Sequence, residues 1–414
     1  MCSIDRRVTH AMNILALNYG SSSLKCHLYR FDSMPKETIS PRWQGQLRWP
    51  GHGNDASLEV KNDQGQSHRG SIKIRSIKGI LSRILRCIYR EKTAVLSSLS
   101  EIDIIGHRIV HGGPHKKSTP LTNEVKEVIR RYAELAPQHN TVELQIVDGC
   151  QQLMPDITQV GVFDTAFHRT LSKAASIYPG PYQWFEDGIR RYGFHGISFQ
   201  YCVERCQQLL DKDISPLKII ICHLGAGASL CAVKEKKSYD TTMGFTTLDG
   251  LMMATRPGSL DPGIFLYLLK HKKKSLKELS DDLYRNSGLL GISGYSADMS
   301  DILEAHLRDH QRAKLAFDIY LHRLTGSIGS MMASLQGLDI LVFSGGIGEN
   351  SPLLRKEVCR RLAFTGLRLD QEKNSAASDQ DSELSHRDSS GNVLLIHTCE
   401  ELEIAKECLR VIKP

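Results

Sequence analysis

At 414 residues the chain is too long for one ordinary core, so roughly two or three domains are expected. Its 41% hydrophobic and 24% charged content is ordinary for a soluble globular protein, and the eleven cysteines sit mostly in apolar runs, as buried thiols of a reducing cytoplasm do. A scattered net charge of +7, 7% aromatic content and the lack of any apolar span of membrane length argue against nucleic acid and membrane as partners.

In chain order, NILAL (13–17) and LKCHLYRF (24–31) flank NYGSSSLK (18–25) and read as a β-hairpin with a Gly/Ser-rich tip. Gly20, the serines and Lys25 bring backbone N–H groups, hydroxyls and a cation to one turn, which suits an anion. It is not a Walker loop, because only Gly20 precedes Lys25 and Cys26 follows it. IDIIGHRIV (102–110) and QVGVFDTAF (159–167) read as central strands ending in functional loops. Between them the spacing of Val125, Val128, Ile129, Tyr132 and Leu135 predicts a helix over 123–136.

The second half starts again in the same manner. LKIIICHLGAGASLCAVK (217–234) is strand, small-residue loop, strand, and LDILVFSGGIGEN (338–350) is a strand opening on a glycine-rich loop, which suggests an internal duplication. Helices are expected at 198–211, 263–270, 300–309 and about 312–336. Residues 370–392 are polar, Ser-rich and aperiodic, as in a mobile surface insertion. A strand, VLLIH, and a helix, EELEIAKECLRVI, close the chain.

The chemistry-bearing residues lie at the ends of these elements. Arg108 ends a strand, where its fork suits a carboxylate or phosphate. Asp164 ends another, where a carboxylate must be paired, hydrogen-bonded or bound to metal. His195 is bracketed by glycines, and Arg256 lies in the glycine-punctuated stretch 241–263. His107 and His111 do not share a strand face, and Cys202 with Cys206 has no second pair, so zinc is disfavoured. Two arginines, an aspartate, a histidine, a lysine and glycine-rich anion loops are the equipment of phosphoryl transfer. A sugar kinase is disfavoured, because a neutral hydroxyl acceptor does not call for two arginines.

NYGSSSLK, GHRIVHGG, FDTAFH, RRYGFHGIS, HLGAGAS, DTTMGFTTLDGLMMATRPGSLDPG, FSGGIGEN and TCEELEIA follow one another as they do in the acetokinase family, which the chain resembles from about residue 13 to 407. The resemblance implies an α/β protein of two duplicated actin-like (ribonuclease H-like) domains with the active site in the cleft between them. Residues 1–165, completed by the C-terminal helix 400–414, would form one; residues 166–399, with the polar insertion near 370–392, would form the nucleotide-binding other. The implied enzyme is a cytoplasmic homodimer that makes acetyl phosphate and ADP from acetate and ATP, reversibly and in line, with Mg2+ or Mn2+.

By the matching positions, Asn18 and Glu400 would hold the metal, with Asp164 close by. Asp164, His195 and Arg256 would be catalytic, and Arg108, Val110 and Phe194 would bind the acceptor. Lys25, Ser21, Ser23, His223, Gly225, Gly227, Asp298, Gly346, Ile347, Gly348, Glu349 and Asn350 would bind ATP. An acceptor carboxylate is already ionised at neutral pH, so Asp164 is expected to orient rather than to act as base. Four of the departures from the family pattern bear on function. Gln138 and Thr247 replace acyl-pocket residues, so a wider or more polar pocket is expected and propionate is an alternative acceptor. Ala226 and Ser300 replace an asparagine and an arginine toward the nucleotide, which leaves a catalytically weakened nucleotide sensor as the rival from another class.

Overall fold

The computed structural model describes residues 11–20, 23–49, 55–73, 76–137 and 139–412; Ser21 and Gln138 lie outside them. The chain divides into two compact units, residues 1–166 with 399–414, and residues 167–398.

The first unit opens with the expected hairpin, β1 (Met12–Gly20) and β2 (Ser23–Phe31). Ile14, Leu15 and Ala16 are fully buried, as in a central strand covered on both faces. Three strands that the sequence pattern did not reveal extend the sheet: β3 (Trp43–Arg48), β4 (Asp55–Asn62) and β5 (Ser67–Lys73). In β4 burial alternates strictly, with Ala56, Leu58 and Val60 inside. Helix α1 (Ile77–Tyr89) is capped by the Ser76 hydroxyl, which accepts the Gly79 N–H at 3.1 Å. Its buried Leu81, Ile84 and Leu85 join Trp43 in the core, each such side chain contributing roughly 2 kcal/mol by burial.

Then follow β6 (Ile104–Ile109), β7 (Thr119–Pro120), α2 (Asn123–Arg131), α3 (Asn140–Leu153) and β8 (Thr158–Phe163). The helix expected over 123–136 thus stops at Arg131 and passes into a 3-10 turn over Ala133–Leu135. The sheet order is β5-β4-β3-β2-β1-β6-β8-β7, with β1, β6 and β8 parallel.

The second unit contains α4 (Lys173–Ser176), α5 (Tyr182–Glu186), α6 (Gly196–Leu210), β9 (Ile219–Leu224), β10 (Ala228–Lys234) and β11 (Lys237–Thr241). Helices α7 (Pro262–His271), α8 (Leu276–Arg285), α9 (Gly288–Ser293), α10 (Met299–Leu307) and α11 (Gln311–Leu335) come next. After them lie β12 (Ile340–Ser344), α12 (Gly345–Asn350), α13 (Pro352–Arg361), α14 (Gln371–Ala376), β13 (Ser382–Glu383) and β14 (Asn392–Leu395). The sheet order is β11-β10-β9-β12-β14-β13.

The duplication is visible in strand order. β3-β2-β1-β6-β8 and β11-β10-β9-β12-β14 share one pattern, two antiparallel pairings followed by two parallel ones.

Two expectations are corrected. SGGIGEN is not an open loop: its glycines start the short helix α12 directly after β12. Residues 370–392 are not structureless either, since they hold α14 and the edge strand β13. Asn374 and Leu384 are buried, and Asn374 accepts from the buried Arg355 Nε at 2.7 Å. Asp381 pairs with Arg205 at 2.7 Å. Side-chain anchors of this kind leave no periodic signature in a sequence.

The chain returns to the first unit with α15 (Glu400–Ile412), which packs on β1, β2, β6 and β8 through Leu402, Ile404, Ala405, Cys408 and Leu409. Gly106 of β6 permits this seat, because a Cβ there would lie 2.5 Å from Cys408 Sγ and 2.7 Å from Ile404 Cγ2.

Candidate active site

In the first unit the parallel strands deliver their side chains at one end. Leu17 pairs with His107 and Ile109 with Phe163, so Asn18, Arg108 and Asp164 emerge together at the carboxyl ends of β1, β6 and β8, where ligands of open α/β sheets bind. Arg108 Nη2 donates to Asp164 Oδ2 at 2.7 Å and its Nε reaches both carboxylate oxygens at 3.2 Å. Its Nη1 donates to Asn18 Oδ1 at 3.2 Å and lies 3.9 Å from Glu400 Oε2. Burial works against the charge on Arg108, but Asp164 and Glu400 more than offset it and hold the guanidinium above its ordinary pKa.

Asn18 Nδ2 donates to Glu400 and to Glu401, both at 2.8 Å. These glutamates open α15, where the N-terminal dipole favours negative charge. Lys25, opposite Asn18 on the hairpin, pairs with Glu401 at 3.5 Å. Burial pushes Glu401 up, but Lys25 and His27 prevail and bring it down to about 2. Val110 is buried just past β6.

In the second unit His195 caps α6 from the left-handed region, with φ at 58°. It shares a hydrogen bond with Ser229 Oγ at 2.8 Å and stacks on His223 with ring centres 4.2 Å apart. His223 in turn bonds Ser198 Oγ at 2.8 Å. Phe194 is buried and its carbonyl bonds His168 Nε2 at 2.9 Å.

Arg256 Nη1 donates to the Thr247 carbonyl at 2.8 Å, and among the described residues no carboxylate pairs with it. Burial lowers it to about 10, so it is still a cation at neutral pH. Arg256 and His195 converge over Gly227, where a Cβ would lie 2.7 Å from Arg256 Nη2 and 3.4 Å from His195 Nε2. The missing side chain opens room for a group that both can touch. A half-buried cation whose charge is disfavoured by desolvation and has no counter-charge among the described residues suits an anionic ligand.

Beside it lies a pocket of about 560 Å³ lined by Gly225, Ala226, Asp298, Ser300, Gly346, Ile347 and Asn350 among others, a volume in the range of small-molecule sites. Asp298 caps α10 and accepts from the Ser300 N–H at 2.8 Å and hydroxyl at 2.6 Å. Glu349 turns inward: its Oε1 accepts from the Gly345 and Thr398 N–H groups, both at 2.9 Å, and so holds the turn. Ser23 begins β2, and Ser21 is outside the described residues.

Glu401, Ser198, Asn140 and Glu143 were not anticipated, nor was the bond of Ser229 to His195. Only the doubled Glu-Glu opening the last helix carried a signal. The hydroxyls that orient His195 and His223 come from elements remote in sequence.

Asn18 and Glu400 offer hard oxygen donors, and among the described residues no cluster of three His, Cys, Asp or Glu could hold a metal by itself. That donor set fits a magnesium ion that keeps waters and binds phosphate oxygens as well.

Two units repeating one strand order, two antiparallel pairings followed by two parallel ones, define a two-domain actin-like fold. Residues 13–406 match the acetokinase family. Acetate kinase of Trichormus variabilis is 46% identical over 97% of this chain and 100% of its own length. That of Microcystis aeruginosa is 47% identical over 96% of this chain and 99% of its own. Among solved structures, Porphyromonas gingivalis acetate kinase aligns with a TM-score of 0.86 at 35% identity, covering 97% of this chain and 100% of that one. A propionate kinase from Francisella tularensis aligns with a TM-score of 0.85 at 35% identity, covering 96% and 98%. The chain belongs to the acetokinase family.

Proposed function

We propose that this chain transfers the terminal phosphoryl group of ATP to a short carboxylate, acetate first, giving acetyl phosphate and ADP reversibly. Family membership supports the reaction class. The observation that carries the chemistry is Arg256, a half-buried guanidinium with no carboxylate partner among the described residues, beside His195 and the glycine-lined pocket.

In this reading the pocket takes the nucleotide, with His223, Gly225, Gly227, Asp298, Gly346, Ile347, Gly348 and Asn350 around it and Glu349 holding its turn. Lys25 and Ser23 serve the phosphates. Arg108, Val110 and Phe194 receive the acceptor, and Asp164 orients Arg108. An acceptor oxygen attacks the terminal phosphorus, its bond to the bridging oxygen breaks, and ADP leaves with that electron pair. Arg256 and His195 donate to the phosphoryl oxygens, whose charge must be stabilised in a loose transition state. Asn18 and Glu400 would hold magnesium, which supplies neutralisation of phosphate charge. No proton has to be removed from the acceptor, so no base is required.

Hydroxylamine trapping of acyl phosphate, with ATP, magnesium and a panel of short acids, tests this reading. Thr247 is buried with its carbonyl on Arg256, and one methylene in an apolar pocket is worth only about 1–3 kcal/mol. The expected kcat/KM ratio of acetate to propionate is therefore below about fiftyfold. A ratio well above that means the pocket discriminates despite Gln138 and Thr247. Nucleotide binding without any acyl phosphate would favour the sensor.

A homodimer in the cytoplasm completes the proposal. Helix α7 has no buried residue although its sequence, PGIFLYLLKH, is mostly apolar, and Ile264, Leu266, Tyr267 and the nearby Leu276 are exposed. A second copy is the occupant we assign to that face. Light scattering should give twice the chain mass, and Leu266→Glu should shift it toward one copy; an unchanged mass would remove α7 from the interface. The described cysteines are all free, as suits a reducing compartment, and no described helix is long and apolar enough to cross a membrane.

A further inference from the structure

Glu143 is a buried ionisable group that the mechanism above does not use. It stands in the first turn of α3, only 2% exposed, and its Oε2 accepts the Val110 N–H at 3.1 Å. One turn back on the same helix, Asn140 Oδ1 accepts the His111 N–H and its Nδ2 donates to the His111 carbonyl, both at 3.0 Å. Together the two side chains hold the backbone just past β6, on the strand end that presents Arg108. The other carboxyl oxygen of Glu143, Oε1, has no hydrogen-bond partner among the described residues. Glu143 borders a void with Leu17, Tyr19, Leu24, His107, Arg108 and Ile146 that leaves no room for a water molecule.

We infer that Glu143 is a positioning residue of the acceptor site: as a neutral acid it clamps the Val110 N–H beside Arg108, and a negative charge gained there weakens binding of a carboxylate acceptor. The inference rests on the carboxylate-kinase reading above. A carboxylate with one bare oxygen beside a dry void is expensive to bury, and the neutral acid avoids most of that cost.

The charged and titratable groups around it do not rescue the ion. Arg108 attracts it, but Nε and Nη2 of that guanidinium are committed to Asp164 and Nη1 reaches Asn18. Asp164 repels it. His107 adds no positive charge at neutral pH, because burial lowers it to about 4, and burial also keeps the Tyr19 phenol neutral by raising it. Burial therefore outweighs Arg108, and Glu143 is raised to about 8. Ionised, it would place a second anion beside the guanidinium that must receive the substrate carboxylate.

The test compares parent and Glu143→Gln, which keeps the acceptor oxygen and cannot ionise. The KM for acetate in the parent is expected to rise about tenfold between about pH 7 and pH 9, and that of Glu143→Gln to stay nearly flat, while KM for ATP follows one course in both. Glu143→Leu, which loses the Val110 contact, should raise KM for acetate across the whole range.

A second readout needs no activity. Between the unfolded value of 4.5 and the folded value of about 8 the folded chain holds a proton that the unfolded chain has released, so stability falls as pH rises through that window. The Tm of Glu143→Gln relative to the parent should therefore climb from about pH 5 to pH 8. Parallel KM profiles in parent and Glu143→Gln, or a Tm difference that does not change with pH, would overturn the inference. A parent that forms no acyl phosphate would overturn the functional reading alone, and the melting series would still decide the protonation of Glu143.

Discussion

Arg256→Ala is expected to lower kcat/KM for acetate by at least about a hundredfold, because removing one preorganised charged donor from a transition-state clamp costs roughly 3–4 kcal/mol. Most of the loss should fall on kcat, since the phosphoryl oxygens gain charge on the way to the transition state. Arg256→Lys should recover little, as an ammonium cannot reproduce the guanidinium fork. The folded state should barely notice. Arg256 has no carboxylate to abandon among the described residues, and its charge is already disfavoured by burial. Activity within about threefold of the parent would end the role assigned to Arg256.

Arg108→Ala should fail differently. It removes the partner of Asp164, which is fully buried, and a neighbour of Glu400. Breaking a buried pair from one side costs about 3–5 kcal/mol through the charge left behind. For a unit of this size the Tm is expected to drop on the order of 10 °C, alongside a loss in kcat/KM of about a hundredfold or more. Adding Asp164→Asn should return part of the Tm and none of the activity. A double variant no more stable than Arg108→Ala would show that the pair does not carry the stability assigned to it. The two arginines thus separate by melting even where their kinetic losses coincide.

The difference between them was invisible in the sequence. Both stood as cations at the ends of apolar or glycine-punctuated stretches, and residue type alone gives each the same fork. Their environments are opposite: Arg108 is bound by three side chains from remote segments, whereas among the described residues Arg256 hydrogen-bonds a backbone carbonyl and no carboxylate. The same holds for the carboxylates. Nothing in NTVEL marks Glu143 as an acid kept neutral, since that depends on a void closed by β1, β2, β6 and α3. Residues 370–392 misled for a related reason. Their composition is that of a solvated loop, yet Asn374 and Leu384 are buried and Asp381 is held by Arg205.

What the sequence determined by itself was local and periodic. The two hairpins, the strands that end in Arg108 and Asp164, the helices α6, α7, α10, α11 and α15 and the ordered motifs of the acetokinase family were readable, because apolar period and turn chemistry act between near neighbours. The tertiary structure decided what depends on contacts between distant residues. It seated α15 over Gly106 so that Glu400 and Glu401 reach Asn18, and it brought Arg256 and His195 together over Gly227. It also set which acids are ionised, because desolvation is a property of the surroundings that fold around a group and not of the group's place in the chain.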